Sequence, residues 1–527
     1  MSMDTVYLDY ARVAGAQSMC YGEQRPMEEQ GNARHAYNDL ISIVAAALLA
    51  LLTAKYFWPL AAFDLPLGYD PGIYRYLFLK HAEGFPPFVI ATLDPWAKEH
   101  SLGIFTFSTI LLRLGIPVEW LIGWLWNLMP VALAATLAGL TAKRENREVG
   151  ILVLFMALLS LAQYDGFASM YWKTYLSFLF CILAFHLLER RSVWFLVPGA
   201  LAVACHHQTG VIFALSLVSW WLVSFRTMYR DPVWRFLSVA GVLMGLLGLL
   251  WYIPVWNEGF VHLLQSVLTM QGSTAPGGSF PPLSVYVRIT PILLAFGLLG
   301  WFLSFRREKG SVWQFAVLWS AVFIVFRLVF YRRFFLQLDF FLLPFAARGL
   351  YDLWVEGKSQ VVRIALCALV IIQSISTAYA IMPRWFPFCP FPSAHCAWYP
   401  PTQLPTTTID VLDGIREVEA LLPPNALVLS LEPQSAPWLR GWLLEQRVAG
   451  PGIFTSPWTY EQWEEVILGT TEKRAEFFHM LDGPAYFFVS PYFLEHYEES
   501  AKKFLTDPCL EKTDHMFLRH ITCTSGA

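Results

Sequence analysis

Eleven apolar runs restrict this chain to architectures that a lipid bilayer can hold. They are Asp39–Leu60, Glu119–Thr141, Val149–Gln163, Tyr171–Leu188, Val193–Cys205, Gln208–Phe225, Val233–Trp256, Ile289–Phe305, Val312–Phe330, Phe334–Leu350 and Val361–Met382. A helix crossing the hydrocarbon core needs roughly 20 mostly apolar residues. Because lipid offers no hydrogen bonds to backbone N–H and C=O groups, such runs form helices. Of the 527 residues, 56% are hydrophobic and 15% charged, against roughly 25% charged in soluble domains. The apolar content excludes disorder. The expected fold is an α-helical polytopic membrane protein with about 11 transmembrane helices and a small C-terminal α/β domain.

Orientation follows from Lys and Arg in the short connections. The N-terminal segment is polar and shows no cleavable-signal pattern, which makes the first run an uncleaved span. With the N-terminus inside, the inner connections hold fourteen Lys and Arg, among them Lys143, Arg144, Arg190, Arg226 and Arg307, while the outer ones after the second span hold Lys173, Arg288, Arg332 and Arg333. An odd number of spans places the tail outside with the long loop 61–101. Leu102–Leu114 is apolar but half a membrane long and ends at Gly115-Ile116-Pro117, so it reads as a re-entrant or surface-lying helix. Val193–Cys205 is also short, which puts its turn at His206-His207 below the membrane surface, where backbone survives only beside protein or a water-filled cavity.

From Pro383 onward 10 Lys/Arg stand against 18 Asp/Glu, while the rest of the chain is net basic. This shift, behind a Pro-rich stretch, divides the chain into a cytoplasmic segment 1–38, a transmembrane domain 39–382, a linker 383–408 and an extracytoplasmic domain 409–527. Helical patterns over Asp410–Leu422, Tyr460–Leu468, Glu472–Leu481 and Pro491–Leu505 alternate with strand patterns at Ala426–Leu431, Ala485–Ser490 and Met516–Thr522, which is an α/β order. Four cysteines fall in this outer part. The pairing Cys389–Cys396 with Cys509–Cys523 is one of three connectivities, and metal binding is the rival reading.

Charged groups at the outer ends of spans carry the functional signal. One cluster is Asp64 to Tyr76, containing Asp70 and Arg75; a second is Asp94 to His100. Asp165 with Lys173 makes a third, His206-His207 a fourth, and Arg332-Arg333 joins them from another outer connection. Each has an ordinary reading: Asp70-Pro71-Gly72 as a turn and helix cap, Asp165-Gly166 as a tight turn, the histidines as a polar loop, and the arginines as interfacial anchors. Their convergence on one side of the membrane favours a site.

The stretch Gly68-Tyr69-Asp70-Pro71-Gly72-Ile73-Tyr74 follows the first span. After it come the half-length helix, a second span ending in Lys143-Arg144, the Tyr164-Asp165-Gly166 turn, the Arg332-Arg333 pair and Leu422-Pro423-Pro424-Asn425-Ala426-Leu427-Val428-Leu429. This arrangement resembles the GT-C superfamily of polytopic glycosyltransferases: oligosaccharyltransferase catalytic subunits, protein mannosyltransferases and aminoarabinose transferases. The resemblance implies a polyprenyl-phosphate-sugar donor, a glycan, lipid or protein acceptor on the extracytoplasmic face, and an integral protein of the inner or plasma membrane. It makes Asp70 the acidic residue of the first outer loop, Asp165 the acid of the second, and Arg333, with Arg332, the basic contact to the donor phosphate. Asp94 is a third catalytic candidate, and Lys173, Arg75, His206 and His207 are substrate-binding candidates; Asp94 and the His206-His207 pair have no family counterpart. The first loop has no Asp-x-Asp or adjacent Asp-Glu, so a divalent cation is an open requirement, with Asp70 and Asp165 its candidate ligands. A transporter or flippase, or a glycan polymerase or ligase, is the alternative. Repeat-related halves and a Walker loop are not evident, and nucleic acid is a poor partner for such a chain.

Overall fold

The structure, a computed structural model, describes residues 27–63, 70–84, 93–168, 170–269, 284, 287, 290–308, 310–328, 330–357, 359–381, 405–433, 435–496 and 502–524. It comprises two compact units, Met1–Leu48 and Leu49–Ala527. Cys20, Cys389, Cys396 and the linker stretch 382–404 lie outside the described residues.

All eleven apolar runs contain helix. The membrane helices are α1 (Met27–Phe63), α4 (Val118–Arg144), α5 (Arg147–Leu159), α6 (Leu161–Ala168), α7 (Trp172–Glu189), α8 (Val193–Cys205), α9 (His207–Arg230), α10 (Pro232–Leu250), α12 (Pro291–Arg307), α13 (Val312–Val325), α14 (Phe334–Glu356) and α15 (Gln360–Ile381). Among the described residues seven are long and apolar enough to cross a membrane, or eight when α5 and α6 count as one bent span. The difference from eleven lies in helix length. α13, for example, has 14 residues and stops before Arg327 and Phe330, both with positive φ. Between the spans lie α2 (Pro71–Glu83), α3 (Gly103–Arg113) and α11 (His262–Thr269). α3 is the half-length helix read from the sequence, and Gly115 at φ +87° follows its end.

α5 and α6 meet at 59°, and the break is held by polar groups from other spans. Lys55 Nζ donates to the carbonyls of Ala157 (3.1 Å), Leu158 (3.0 Å) and Ser160 (2.6 Å), and Thr377 Oγ1 donates to that of Leu159 (3.1 Å). Asp339 accepts from Ser160 Oγ and Gln163 Nε2. Carbonyls freed by a bend in lipid need such donors, and this accounts for a lysine in an otherwise apolar span. It also corrects the sequence reading: Tyr164-Asp165-Gly166 is not a turn but part of α6, because the chain bends earlier, at Ser160. Gly166 is a packing residue; a Cβ there would run into Leu336 and Tyr175.

The C-terminal part contains α16 (Pro405–Leu421), β1 (Leu427–Ser430), α17 (Ala436–Trp442), β2 (Arg447–Ala449), α18 (Tyr460–Leu468), α19 (Thr471–His479), β3 (Ala485–Phe488), α20 (Pro491–His496), β4 (Leu510–Lys512) and β5 (Leu518–Ile521). The sheet order is β2-β1-β3-β5-β4. β2 and β3 run parallel to β1, with Val428 opposite Val448 and Tyr486, whereas β5 is antiparallel to both β3 and β4. Strand alternation splits the buried side chains between two cores. Leu427, Leu429, Ala485 and Phe487 pack with Trp463 and Phe478 on one face. Val428 and Phe488 on the other face join Trp438 and Trp442 of α17 and continue into Tyr74, Phe78, Phe105 and Trp172. The sheet thus shares a core with the loop helices α2 and α3.

One of the two expected disulfides lies within the described residues: Cys509 and Cys523 are bonded, 14 residues apart. Closing a loop of that length restricts the unfolded chain by about 3 kcal/mol. The double change Cys509→Ala/Cys523→Ala is therefore expected to lower the denaturant midpoint of the sheet, followed by tryptophan fluorescence; a midpoint equal to the parent's would mean the bond adds nothing.

Candidate active site

A polar cavity of about 460 Å³ opens where the segment between α1 and α4 meets the membrane helices. Asp70 from the start of α2 lines it with Lys173 of α7, Arg333 before α14, and His206 and His207 at the α8–α9 junction. Tyr74, His100, Tyr171, Thr174, Gln208, Glu258, His262 and Gln337 complete its polar wall. Of the nine residues expected to form the site, five share this space.

Asp70 is in the N-cap position of α2 with Pro71 behind it, which suits proline's fixed φ at the first helical position. Yet its side chain makes no cap hydrogen bond, so the carboxylate is not used as the turn reading supposed. Burial raises its pKa above the ordinary carboxylate value, while Lys173 and Arg333 pull it back. Lys173 Nζ lies 3.1 Å from His100 Nδ1. An ammonium only donates, so this nitrogen accepts and His100 is neutral. Burial, then Lys173, depress the His100 pKa well below its usual range. Lys173 also sits 5.9 Å from the Tyr74 ring, and Arg333 is 5.0 Å from Phe330 and 5.7 Å from Tyr171.

The two adjacent histidines do different things. His206 caps α9, its Nδ1 accepting from the Thr209 amide at 3.4 Å, and Thr174 Oγ1 is 3.4 Å away. His207 has a buried Nδ1 without a hydrogen-bond partner among the described residues. Ser101 Oγ donates to the Cys205 carbonyl at 2.6 Å, so the turn is held by protein on one side and borders the cavity on the other. Such surroundings let irregular backbone lie within membrane depth.

Four expected site residues lie elsewhere. The Asp94 carboxylate accepts from Arg440 (3.2 Å), Trp96 (3.3 Å) and Tyr76 (3.5 Å), and the Arg440 guanidinium stacks 3.9 Å from the Tyr76 ring. Arg75 donates to the Gly441 carbonyl (2.6 Å), pairs with Glu119 (3.2 Å) and covers Trp442 (4.8 Å). Both therefore tie the segment between α1 and α4 to α17. Asp165 sits half-buried on α6 without lining the cavity, and Arg332 lies beside Tyr331 at 5.9 Å. Among the described residues no group of three or more His, Cys, Asp and Glu is placed to hold a metal ion. Asp70 lines the cavity and Asp165 does not.

Glu258 and His262 were not anticipated. They follow the end of α10 on a π-helical turn, Trp256–Val261, and α11. The only sequence signal for them is the polar Asn257-Glu258 pair ending the Val233–Trp256 run.

No protein-family model matches this chain. No curated protein matches it either. Solved structures do. The crystal structure of apo oligosaccharyltransferase from Archaeoglobus fulgidus superposes with TM-score 0.54 at 13% identity, over 85% of this chain and 69% of that one. AglB from the same organism, in complex with an inhibitory peptide and a dolichol-phosphate, gives 0.51 at 12%, over 85% and 69%. Apo ArnT from Cupriavidus metallidurans gives 0.52 at 12%, over 87% and 94%. The chain has the GT-C fold of polytopic glycosyltransferases, with a small mixed sheet at its C-terminal end.

Proposed function

We propose that the protein is a membrane glycosyltransferase that moves a sugar from a polyprenyl-phosphate-linked donor to an acceptor on the extracytoplasmic face. The observation that carries this is Asp70 sharing one cavity with Lys173 and Arg333. An acceptor hydroxyl or amide attacks the anomeric carbon, its proton passes to the Asp70 carboxylate, and the bond from that carbon to the phosphate oxygen breaks. The leaving phosphate takes the electron pair, and Arg333 and Lys173 balance the charge that develops on it. A single displacement of this kind inverts the anomeric centre. The fold neighbours include an oligosaccharyltransferase complex with dolichol-phosphate, which supports a lipid-phosphate donor.

The test uses full-length protein in nanodiscs with a panel of short-chain polyprenyl-phosphate sugars, scoring sugar transferred and polyprenyl phosphate released. Cleavage of at least one donor by the parent is the expected result. Movement of a donor across the bilayer with its sugar bond intact would instead make the protein a flippase. The pH profile gives a second check. A base must be ionised, and Asp70 ionises above the usual carboxylate range because it is buried. Activity should therefore rise with pH through an acid limb above about 4, the unperturbed value. An acid limb at or below that value would remove Asp70 as the base.

A further inference from the structure

Three uncharged side chains that line the Asp70 cavity carry buried atoms with no hydrogen-bond partner among the described residues. Gln337, on the first turn of α14 and 1% exposed, has neither its Nε2 nor its Oε1 bonded. Gln208, at the start of α9 and 5% exposed, has an unpartnered Nε2, and His207 Nδ1 is the fourth such atom. A buried donor or acceptor costs free energy while it stays unpaired. Several of them on the wall of one cavity form a site whose partners arrive with the ligand.

The chemistry of these atoms selects that ligand. The amides of Gln337 and Gln208 donate, Gln337 Oε1 accepts, and His207 Nδ1 does either according to its tautomer. Exchanging the nitrogen and oxygen of Gln337 leaves the same donor and acceptor unmet. A sugar hydroxyl or acetamido group both donates and accepts, so it satisfies such a set. A carboxylate only accepts and would leave Gln337 Oε1 unpaired; an ammonium only donates and would leave both amide donors unpaired. Position shows which part of a donor they meet. Gln337 lies one helical turn, about 6 Å, beyond Arg333 and on the same face. Arg333 is the residue assigned above to the leaving phosphate, and the inference rests on that reading. Of the two groups on that phosphate, the polyprenyl chain has no hydrogen-bonding atoms and the sugar has several. We propose that Gln337, with Gln208 and His207, holds the transferred sugar and restricts it to a neutral one, against uronic acids and cationic amino sugars. Glu258, half-buried on the same cavity, is the competing contact for a cationic sugar.

The experiment measures donor binding to full-length protein in nanodiscs without acceptor. One short-chain polyprenyl phosphate carries glucose, galactose or mannose, each also in its 2-acetamido, 2-amino and uronic-acid forms. The parent is expected to bind its best neutral donor at least ~10²-fold more tightly than the matching amino sugar and uronic acid, whose charges leave buried groups unpaired. Gln337→Leu should weaken the neutral donor about tenfold, the order of one lost hydrogen bond, and narrow that gap. Gln337→Glu keeps the shape but exchanges a donor for a negative charge, and should move the preference toward the amino sugar. The parent's own selectivity needs no variant, and Gln208→Leu replaces a Gln337 variant that fails to fold. Equal binding of the three forms, tightest binding of the amino sugar, binding of no donor, or a gap unchanged in the Gln337 variants would overturn the proposal. Release of polyprenyl phosphate by the parent separates this from the transfer reading: cleavage without selectivity removes only the sugar site, and selective binding without cleavage removes only the transferase.

Discussion

Asp70→Asn is expected to cut glycosyl transfer by at least ~10²-fold, the lower end for loss of a general base, while the protein inserts and folds as before. Asparagine keeps the size of the side chain but cannot take the acceptor proton. The change should also stabilise the protein slightly at neutral pH. Asp70 has a raised folded-state pKa because burial disfavours its charge. Its contribution is therefore fully present below the unfolded value and lost as pH rises through the folded one. Removing the charge avoids that loss, so the melting temperature of Asp70→Asn should exceed the parent's near pH 7 and equal it near pH 4. Asp165→Asn, outside the cavity, is the control. Wild-type transfer by Asp70→Asn would remove Asp70 from its role, whereas an equal loss in Asp165→Asn would point to a metal held by both carboxylates.

The second large effect is expected far from the reacting atoms. α17 docks against the start of α2 so closely that a Cβ on Gly72 would strike the Pro437 carbonyl, and one on Gly441 would strike the Gly72 backbone. Neither neighbour is a side chain that can swing away. Gly441→Val should therefore separate the two helices, shift Asp70, and lower kcat/KM by about 10²-fold, the cost of a ~1 Å misplacement. Limited proteolysis should release the sheet more readily, with the membrane helices intact. Arg440→Gln, which removes the pair with Asp94 without a steric clash, should act in the same direction more weakly. A Gly441→Val protein with parental kcat/KM would show that α17 does not position the Asp70 helix.

The positions of the apolar helices, the half-length helix, the tail's main strands and the Cys509–Cys523 bond could be read from the chain, whereas the lengths that decide which helices cross could not. Each depends on local periodicity, hydropathy or cysteine count. Asp70 was legible for a related reason: Tyr-Asp-Pro-Gly places an acid beside a helix start, a local pattern. What could not be read rests on partners distant in sequence. The bend at Ser160 depends on Lys55, over a hundred residues earlier. Asp94 and Arg75 have the right chemistry for a site but are engaged by Arg440 and Gly441. α17 carries no helical period because all seven of its residues are buried. Glu258 and His262 reach the cavity from a π-helical turn and the start of α11, which simply continue an apolar run.

The bond from Arg75 to Gly441 joins residues 366 positions apart. At ~5–20 residues per second of synthesis, the outer loop is made roughly 20–70 s before the segment that braces it. During that interval the chain has its membrane helices and the Asp70 carboxylate but not the wall that holds α2 in place. The packing that holds α2 in place is therefore completed only once α17 has been made, and a polypeptide stalled before it would carry Asp70 on a helix without its brace.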